Sequence, residues 1–372
     1  TATLTPVDDT LYENSETAIV DITVSGGGAT ESGVQQRTIT ITDKALDSGT
    51  QNTRNTTDET NFLSNIEFTN SGFNDSIFVA STGGHDPYKN INLHKALAYE
   101  NGSGNNMMGS GEIIAIMDKG FAVNGAGGYT GNTHIELSGK SIYHAGNASA
   151  FTTYVNTNQQ ATNNTHGTGV AAVAAGEYGV GAGSVMGVAP DADLVLASFA
   201  TSSMANLATD LDTARTNHAP IVVNNSWGLQ QNCNGLGVCT SALEFDEVKT
   251  AASNNGVTFR DQLANYWGGA SSVSSFITAL DNFQNNGVVV WASSNYVNDS
   301  DVGMEGGLPA YFDGTQDSVD LSDAWLSVMY AEFTGTSLSG ASTSDFNRLG
   351  NPCGAAKEWC LVVDDKQIGA AG

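Results

Sequence analysis

Two residues of this sequence are of types that do proton chemistry and stand at element ends, Asp118 and His166. Asp118 directly follows the apolar run Ile113-Ile-Ala-Ile-Met and precedes Lys119-Gly120. A carboxylate at the C-terminal end of a strand is placed to orient an imidazole or hold a cation, and equally to form a turn or cap a helix. His166 opens the segment His166-Gly-Thr-Gly-Val-Ala-Ala-Val-Ala. A histidine at a helix start, followed by Gly and small residues, lies close against a neighbouring element with its ring facing outward. Such a ring would accept and return a proton in general acid–base catalysis. Each of the histidines at 85, 94, 134, 144, 166 and 218 also admits a structural role; what distinguishes His166 is the company it keeps. The acidic runs Asn298-Asp-Ser-Asp301 and Asp313-Gly-Thr-Gln-Asp317 offer the oxygen ligands that calcium takes, without the EF-hand pattern, and read equally as solvated loops.

These side chains need elements to hold them. From about residue 90 the sequence alternates short apolar strands with helical patterns. Gly111-Glu-Ile-Ile-Ala-Ile-Met, Leu194-Val-Leu-Ala, Ile221-Val-Val and Gly287-Val-Val-Val-Trp-Ala read as buried strands. Helical spacing appears from His166 to Ala175, at Leu207, Leu211 and Ala214, and at Phe276, Ala279, Leu280 and Phe283. Strands without polar alternation, separated by helices, predict an α/β fold with a parallel sheet covered on both faces. Sites in such sheets lie beyond the C-terminal strand ends. Ahead of this lies a different pattern. Thr1-Ala-Thr-Leu-Thr, Thr17-Ala-Ile-Val-Asp-Ile-Thr-Val and Arg37-Thr-Ile-Thr-Ile-Thr alternate at period two, predicting a small β module over 1–43. Residues 44–89, rich in Asn, Thr, Ser and Gly, read as a linker or loosely held segment, leaving 90–372 as the main domain.

Acidic residues outnumber basic ones by 39 to 13, a net charge of −26, which disfavours nucleic acid and anionic lipid as partners. A hydrophobic content of 40% is ordinary for a globular chain and excludes wholesale disorder. No apolar run approaches the ~20 residues that span a bilayer, and no signal peptide is visible. The sequence opens at Thr1 rather than Met, as expected of a processed product or a piece of something longer. Its four cysteines form two close pairs, Cys233/Cys239 and Cys353/Cys360. Two local disulfides are the simplest of the three pairings, and they point to an extracellular or periplasmic compartment. A zinc site would want C-x-x-C spacing and nearby histidines.

Asp118, the His166-Gly-Thr-Gly-Val-Ala block, Gly187-Val-Ala-Pro-Asp-Ala, Asn224-Asn-Ser-Trp-Gly and Val288-Val-Val-Trp-Ala-Ser-Ser-Asn295 follow one another in this order. Together they resemble the subtilisin-like serine proteases, the subtilases, over roughly residues 90–372. The run Cys353-Gly-Ala-Ala-Lys-Glu-Trp-Cys360 is similar to that of bacterial autotransporter subtilases. The N-terminal segment, with Tyr12-Glu-Asn-Ser-Glu-Thr, resembles part of a Calx-beta or immunoglobulin-like module. The subtilase resemblance implies acyl-enzyme hydrolysis of peptide bonds. His166 would be the general base toward a serine, and Asp118 would fix its tautomer and steady the imidazolium. Asn295 would donate to the oxyanion. Ser226, Trp227 and Gly228 would pair with the substrate backbone and line the pocket for the residue before the cut. The partner implied is a protein or peptide substrate at the cell exterior or outer surface, with room for a membrane anchor or barrel in a flanking region. No cofactor is required, and calcium is compatible.

Two departures qualify this. Lys119 stands where the family has Thr or Ser. The nucleophile motif, Gly-Thr-Ser-x-Ala/Ser-x-Pro, is matched only partly by Gly335-Thr336-Ser337-Leu338-Ser339-Gly340. Ser337 precedes the Cys353/Cys360 segment and lacks the downstream Pro, so it reads as a decoy, with the nucleophilic serine expected beyond Gly372. The competing expectation is a catalytically inactive subtilase-like structural or adhesive surface protein.

Overall fold

The computed structural model describes residues 16–21, 36–41, 53–64, 88, 92–100, 104–121, 123, 133–145, 166–179, 186–198, 203–234, 239–333 and 342–364. Contacts divide the chain into two units, one of residues 1–55 with 99–106 and one of 56–98 with 107–372.

In the first unit, strands β1 (Glu16–Asp21) and β2 (Gln36–Ile41) pair antiparallel in the register Glu16↔Ile41. The other predicted strand of this region, at residues 1–5, lies outside the described residues. A short ladder joins β3 (Thr53–Arg54) to β4 (Tyr99–Glu100).

The second unit holds helix α1 (Thr56–Ser64), within the stretch expected as a linker, and α2 (Leu93–Leu97). Phe62 of α1 is buried with Leu93, Leu97 and Met108, so this helix is bound by its own apolar side chain.

The body of the unit is an eight-stranded sheet. Its strands are β5 (Ile113–Asp118), β6 (Ile142–His144), β7 (Asp193–Ser198), β8 (Val222–Asn225), β11 (Val288–Ala292), β12 (Trp325–Phe333), β13 (Phe346–Arg348) and β14 (Cys360–Asp364); β9 (Gln230–Gln231) and β10 (Ser241–Ala242) form a separate hairpin. The order is β13-β12-β11-β8-β5-β7-β6, with β14 also on β12. All these pairings are parallel except β12 with β13, so the sheet is mostly rather than wholly parallel. Ala331 is matched to both Arg348 and Asp364, which sets β13 and β14 on opposite sides of β12.

Both sheet faces are covered, and this explains the unbroken apolar strands. On β5 and β7, Ala115, Met117, Val195 and Ala197 join one core, while Ile116, Leu194 and Leu196 join the other. Helix α3 (His166–Ala175) supplies small side chains, Ala171 and Ala175, to the second core. The first core is larger. It takes Leu207, Leu211 and Ala214 from α4 (Met204–His218), Phe245 and Val248 from α5 (Phe245–Asn255), Phe259, Leu263 and Trp267 from α6 (Phe259–Trp267), and Val273, Phe276, Leu280 and Phe283 from α7 (Ala270–Gln284). The faces predicted for α4 and α7 are the buried ones. Neither α5, α6 nor β12 was anticipated from the sequence pattern.

Candidate active site

Three neighbouring strands, β5, β8 and β11, end at one rim of the sheet. Asp118 is the last residue of β5, Ser226 follows β8 directly, and Asn295 lies three residues past β11. His166 arrives from elsewhere, at the first position of α3. These residues, together with Trp227 and Gly228, line one cleft of about 580 Å³.

The position of His166 follows from how α3 begins. The first N–H groups of a helix lack intrahelical partners and must find others. Here Gly167 N–H donates to Lys119 O at 2.7 Å and Thr168 N–H to Gly120 O at 3.0 Å, so the helix start docks on the loop leaving β5. Thr168 Oγ1 also donates to Gly120 O, at 3.1 Å. A Cβ at position 167 would lie 2.7 Å from the Phe121 ring, which is why Gly follows the histidine. The far end of α3 is held by the second motif: Gly187, Val188 and Ala189 N–H groups donate to Gly176, Val173 and Ala174 carbonyls. The Gly-Val-Ala run thus caps the helix that carries the imidazole.

The outcome is an Asp–His pair. Asp118 Oδ1 lies 2.8 Å from His166 Nδ1. The Asp118 side chain is 1% exposed and that of His166 is 52% exposed, so the anion is buried behind a ring open to the cleft. Lys119 N–H donates to the same Oδ1 at 2.6 Å. The hydrogen bond to Asp118 raises the pKa of His166 above 6.5, burial opposes it, the Asp118 charge adds to it, and the Lys119 charge opposes it. Among the described residues no group hydrogen-bonds His166 Nε2.

The Asn224-Asn-Ser-Trp-Gly motif is built around two indoles. Trp227 Nε1 donates to Asn225 Oδ1 at 3.2 Å, and Asn225, fully buried, donates to Val290 O of β11 at 3.4 Å. Trp291 Nε1 donates to Trp227 O at 2.8 Å. With the Trp227 carbonyl engaged inward, the backbone groups of Ser226 and Gly228 carry no hydrogen bond among the described residues. Glu305, absent from the residues expected at the site, braces this stretch: 1% exposed, it accepts Leu229 N–H at 3.0 Å, and burial pushes its carboxyl up to about 7. Its one sequence signal is a lone charge in the apolar run Val302-Gly-Met-Glu-Gly-Gly-Leu. Met204, Leu207 and Leu229 add apolar lining at the cleft.

Cys233–Cys239 and Cys353–Cys360 are both disulfide-bonded. Ser337 lies outside the described residues. Carboxylates of the two acidic runs accept hydrogen bonds within the protein. Asp301 accepts Ala355 N–H at 2.7 Å and Asp246 N–H at 3.0 Å, Asp313 accepts Thr315 N–H at 2.9 Å, and Asp317 takes Arg260 Nε at 2.7 Å. Among the described residues no group of three or more His, Cys, Asp or Glu is arranged to hold a metal ion, and no helix is long and apolar enough to cross a membrane.

A mostly parallel α/β sheet thus carries an Asp–His pair at its C-terminal rim, where ligand sites of such sheets lie. The Subtilase family profile matches residues 109–366, and the chain belongs to that family of serine proteases. No curated protein matches the chain significantly. Among solved structures the chain is similar to the psychrophilic subtilisin-like protease Apa1 from the Antarctic psychrotroph Pseudoalteromonas sp. AS-11, at 18% identity and TM-score 0.33, over 59% of this chain and 36% of that one. It is similar also to the PatG macrocyclase domain, at 13% identity and TM-score 0.38, over 73% of this chain and 67% of that one. A third is MycP1, described as an essential component of the type VII (ESX-1) secretion system, at 15% identity and TM-score 0.38, over 79% of this chain and 68% of that one. The chain thus spans about a third of the length of the first of these, at 36%.

Proposed function

We propose that this chain carries the base, its orienting carboxylate, the oxyanion donor and the substrate edge of a subtilisin-type serine endopeptidase acting outside the cell. The observation that carries the reading is the 2.8 Å contact between buried Asp118 and half-exposed His166, in one cleft with Asn295 and the Ser226–Gly228 edge. A serine contributed by sequence downstream of Cys360 completes the set; the order of motifs supports this over Ser337.

In the reaction, a peptide strand pairs with the backbone of Ser226 and Gly228. His166 Nε2 takes the serine proton as Oγ bonds to the scissile carbonyl carbon. The carbonyl oxygen becomes an oxyanion, to which the Asn295 amide donates. Asp118 holds the Nδ1 proton and steadies the imidazolium. The C–N bond then breaks, the leaving amine takes the proton from Nε2, and an acyl-enzyme remains. Water, deprotonated by His166, attacks the ester and releases the acid with the serine restored. The two disulfides support an oxidising compartment, and the Cys353–Cys360 loop supports the autotransporter type within the family.

Labelling of the complete gene product with an organofluorophosphonate tests this. Labelling is expected, and is lost on His166→Ala. A folded, unlabelled protein would establish the alternative, an inactive surface scaffold, and labelling lost on Ser337→Ala would reassign the nucleophile.

A further inference from the structure

Asn295 is exposed at the cleft, and among the described residues its side-chain amide has no hydrogen-bond partner. Its aim is therefore set by the backbone on either side. That backbone is strained: Ser294, the preceding residue, has φ 100°. A non-Gly residue keeps such a conformation only when its surroundings over-determine it.

The surroundings that do so converge on one residue. Asn351, fully buried, donates its N–H to Ser294 O at 3.1 Å. Its carbonyl accepts Ser293 Oγ at 3.1 Å. Its side-chain Oδ1 accepts Tyr296 N–H at 3.0 Å. Its Nδ2 donates to Asp299 Oδ2 at 3.0 Å and to Asp301 O at 2.9 Å. All five bonds go to residues 293–301, and two of them grip the residues immediately before and after Asn295. Neighbours of Asn351 reinforce the hold. Arg348 donates to Val297 O at 2.7 Å and Asp299 O at 3.1 Å, and the Cys353–Cys360 disulfide closes the loop that follows.

We infer that Asn351 is a positioning residue, holding the 293–301 loop so that the Asn295 amide points where the oxyanion forms. The inference rests on the oxyanion reading of Asn295 given above. A donor that acts on the transition state alone contributes to kcat with little effect on KM. A residue that acts only through that donor contributes nothing once the donor is gone.

The test is a double-mutant cycle in the complete gene product, with kcat and KM for a peptide substrate and far-UV circular dichroism as a folding check. Asn351→Ala is expected to lower kcat about tenfold or more, toward the ~10²–10³ that loss of an oxyanion donor costs, with KM nearly unchanged. In the Asn295→Ala background the same substitution is expected to change kcat less than about twofold. Equal losses in both backgrounds, or a loss confined to KM, would overturn the inference while leaving the oxyanion reading intact. An Asn295→Ala enzyme with wild-type kcat would overturn both. Should Asn351→Ala fail to fold, the isosteric Asn351→Asp runs in the same cycle, since it keeps the acceptor for Tyr296 N–H and loses the two donors.

Discussion

At the scale of single residues, the proposed mechanism turns on the imidazole of His166. A general base works only when neutral, and the hydrogen bond and charge of Asp118 favour the protonated ring. The alkaline-rising limb of kcat/KM therefore has its midpoint above 6.5, the ordinary histidine value. Asp118→Asn removes that stabilisation. The midpoint is expected to fall, and kcat to drop roughly 10⁴-fold as the favoured tautomer is lost. A pH–rate profile of both proteins checks this; a flat wild-type profile from about pH 5 to 9 would remove His166 from the mechanism. Lys119, where the family has Thr or Ser, works against Asp118 by disfavouring the imidazolium, and its exposure keeps that influence screened.

At the scale of elements, the site depends on a small-residue helix being pinned at both ends. The start of α3 is tied to the loop after β5 and its end to the Gly187–Ala189 backbone. A Cβ at 187 would fall 2.3 Å from Gly176 N and 2.5 Å from Ala175 N, backbone atoms that have nowhere to go. Gly187→Ala is thus expected to cost about 1–3 kcal/mol as overpacking, a melting temperature lower by roughly 2–4 °C per kcal/mol. Because Gly187 packs on the far end of the helix that carries His166, the same change is expected to disturb the His166–Asp118 contact, so activity should fall by more than the small change in folded fraction explains. Calorimetry beside kinetics reads the two effects apart. An unchanged melting temperature would mean that the backbone yields where close packing says it cannot.

At the scale of the whole molecule, acid content meets burial. Asp210 on α4 and Glu305 beside Leu229 are 7% and 1% exposed, and burial raises each carboxyl to about 7. In the unfolded chain these groups titrate near 3.8 and 4.5. Between those values and about 7 the folded state holds protons that the unfolded state has released, so stability falls as pH rises through this window. His166 acts in the same sense: its raised pKa contributes stability below 6.5 that is lost as pH passes the folded value. Asp210→Asn is expected to raise the melting temperature at pH 8 and leave it nearly unchanged at pH 4. Equal shifts at both pH values would show that the carboxylate is not what costs stability there.

Local pattern determined a good deal. Apolar runs without alternation implied a two-faced parallel sheet, and close spacing paired the cysteines. The motif order brought Asp118, His166, Asn295 and the Ser226–Gly228 edge under suspicion before any geometry. What remained hidden were contacts between segments far apart in the chain. Glu305 beside Leu229 and Asn351 beneath the 293–301 loop have no periodicity or motif of their own. Glu305 has its role because the segment after β11 comes back beside Leu229, past the end of β8, and Asn351 because the chain after β13 comes back to the residues that follow β11. Helices α5 and α6, though not anticipated, do carry a local signal: Phe245, Val248 and Ala252, and Phe259, Leu263 and Trp267, recur at helical spacing behind the capping boxes that start at Glu244 and Thr258. A sequence carries what neighbours along the chain do to one another, whereas hydrogen bonds closed across fifty residues or more are decided by the folded backbone that brings donor and acceptor together.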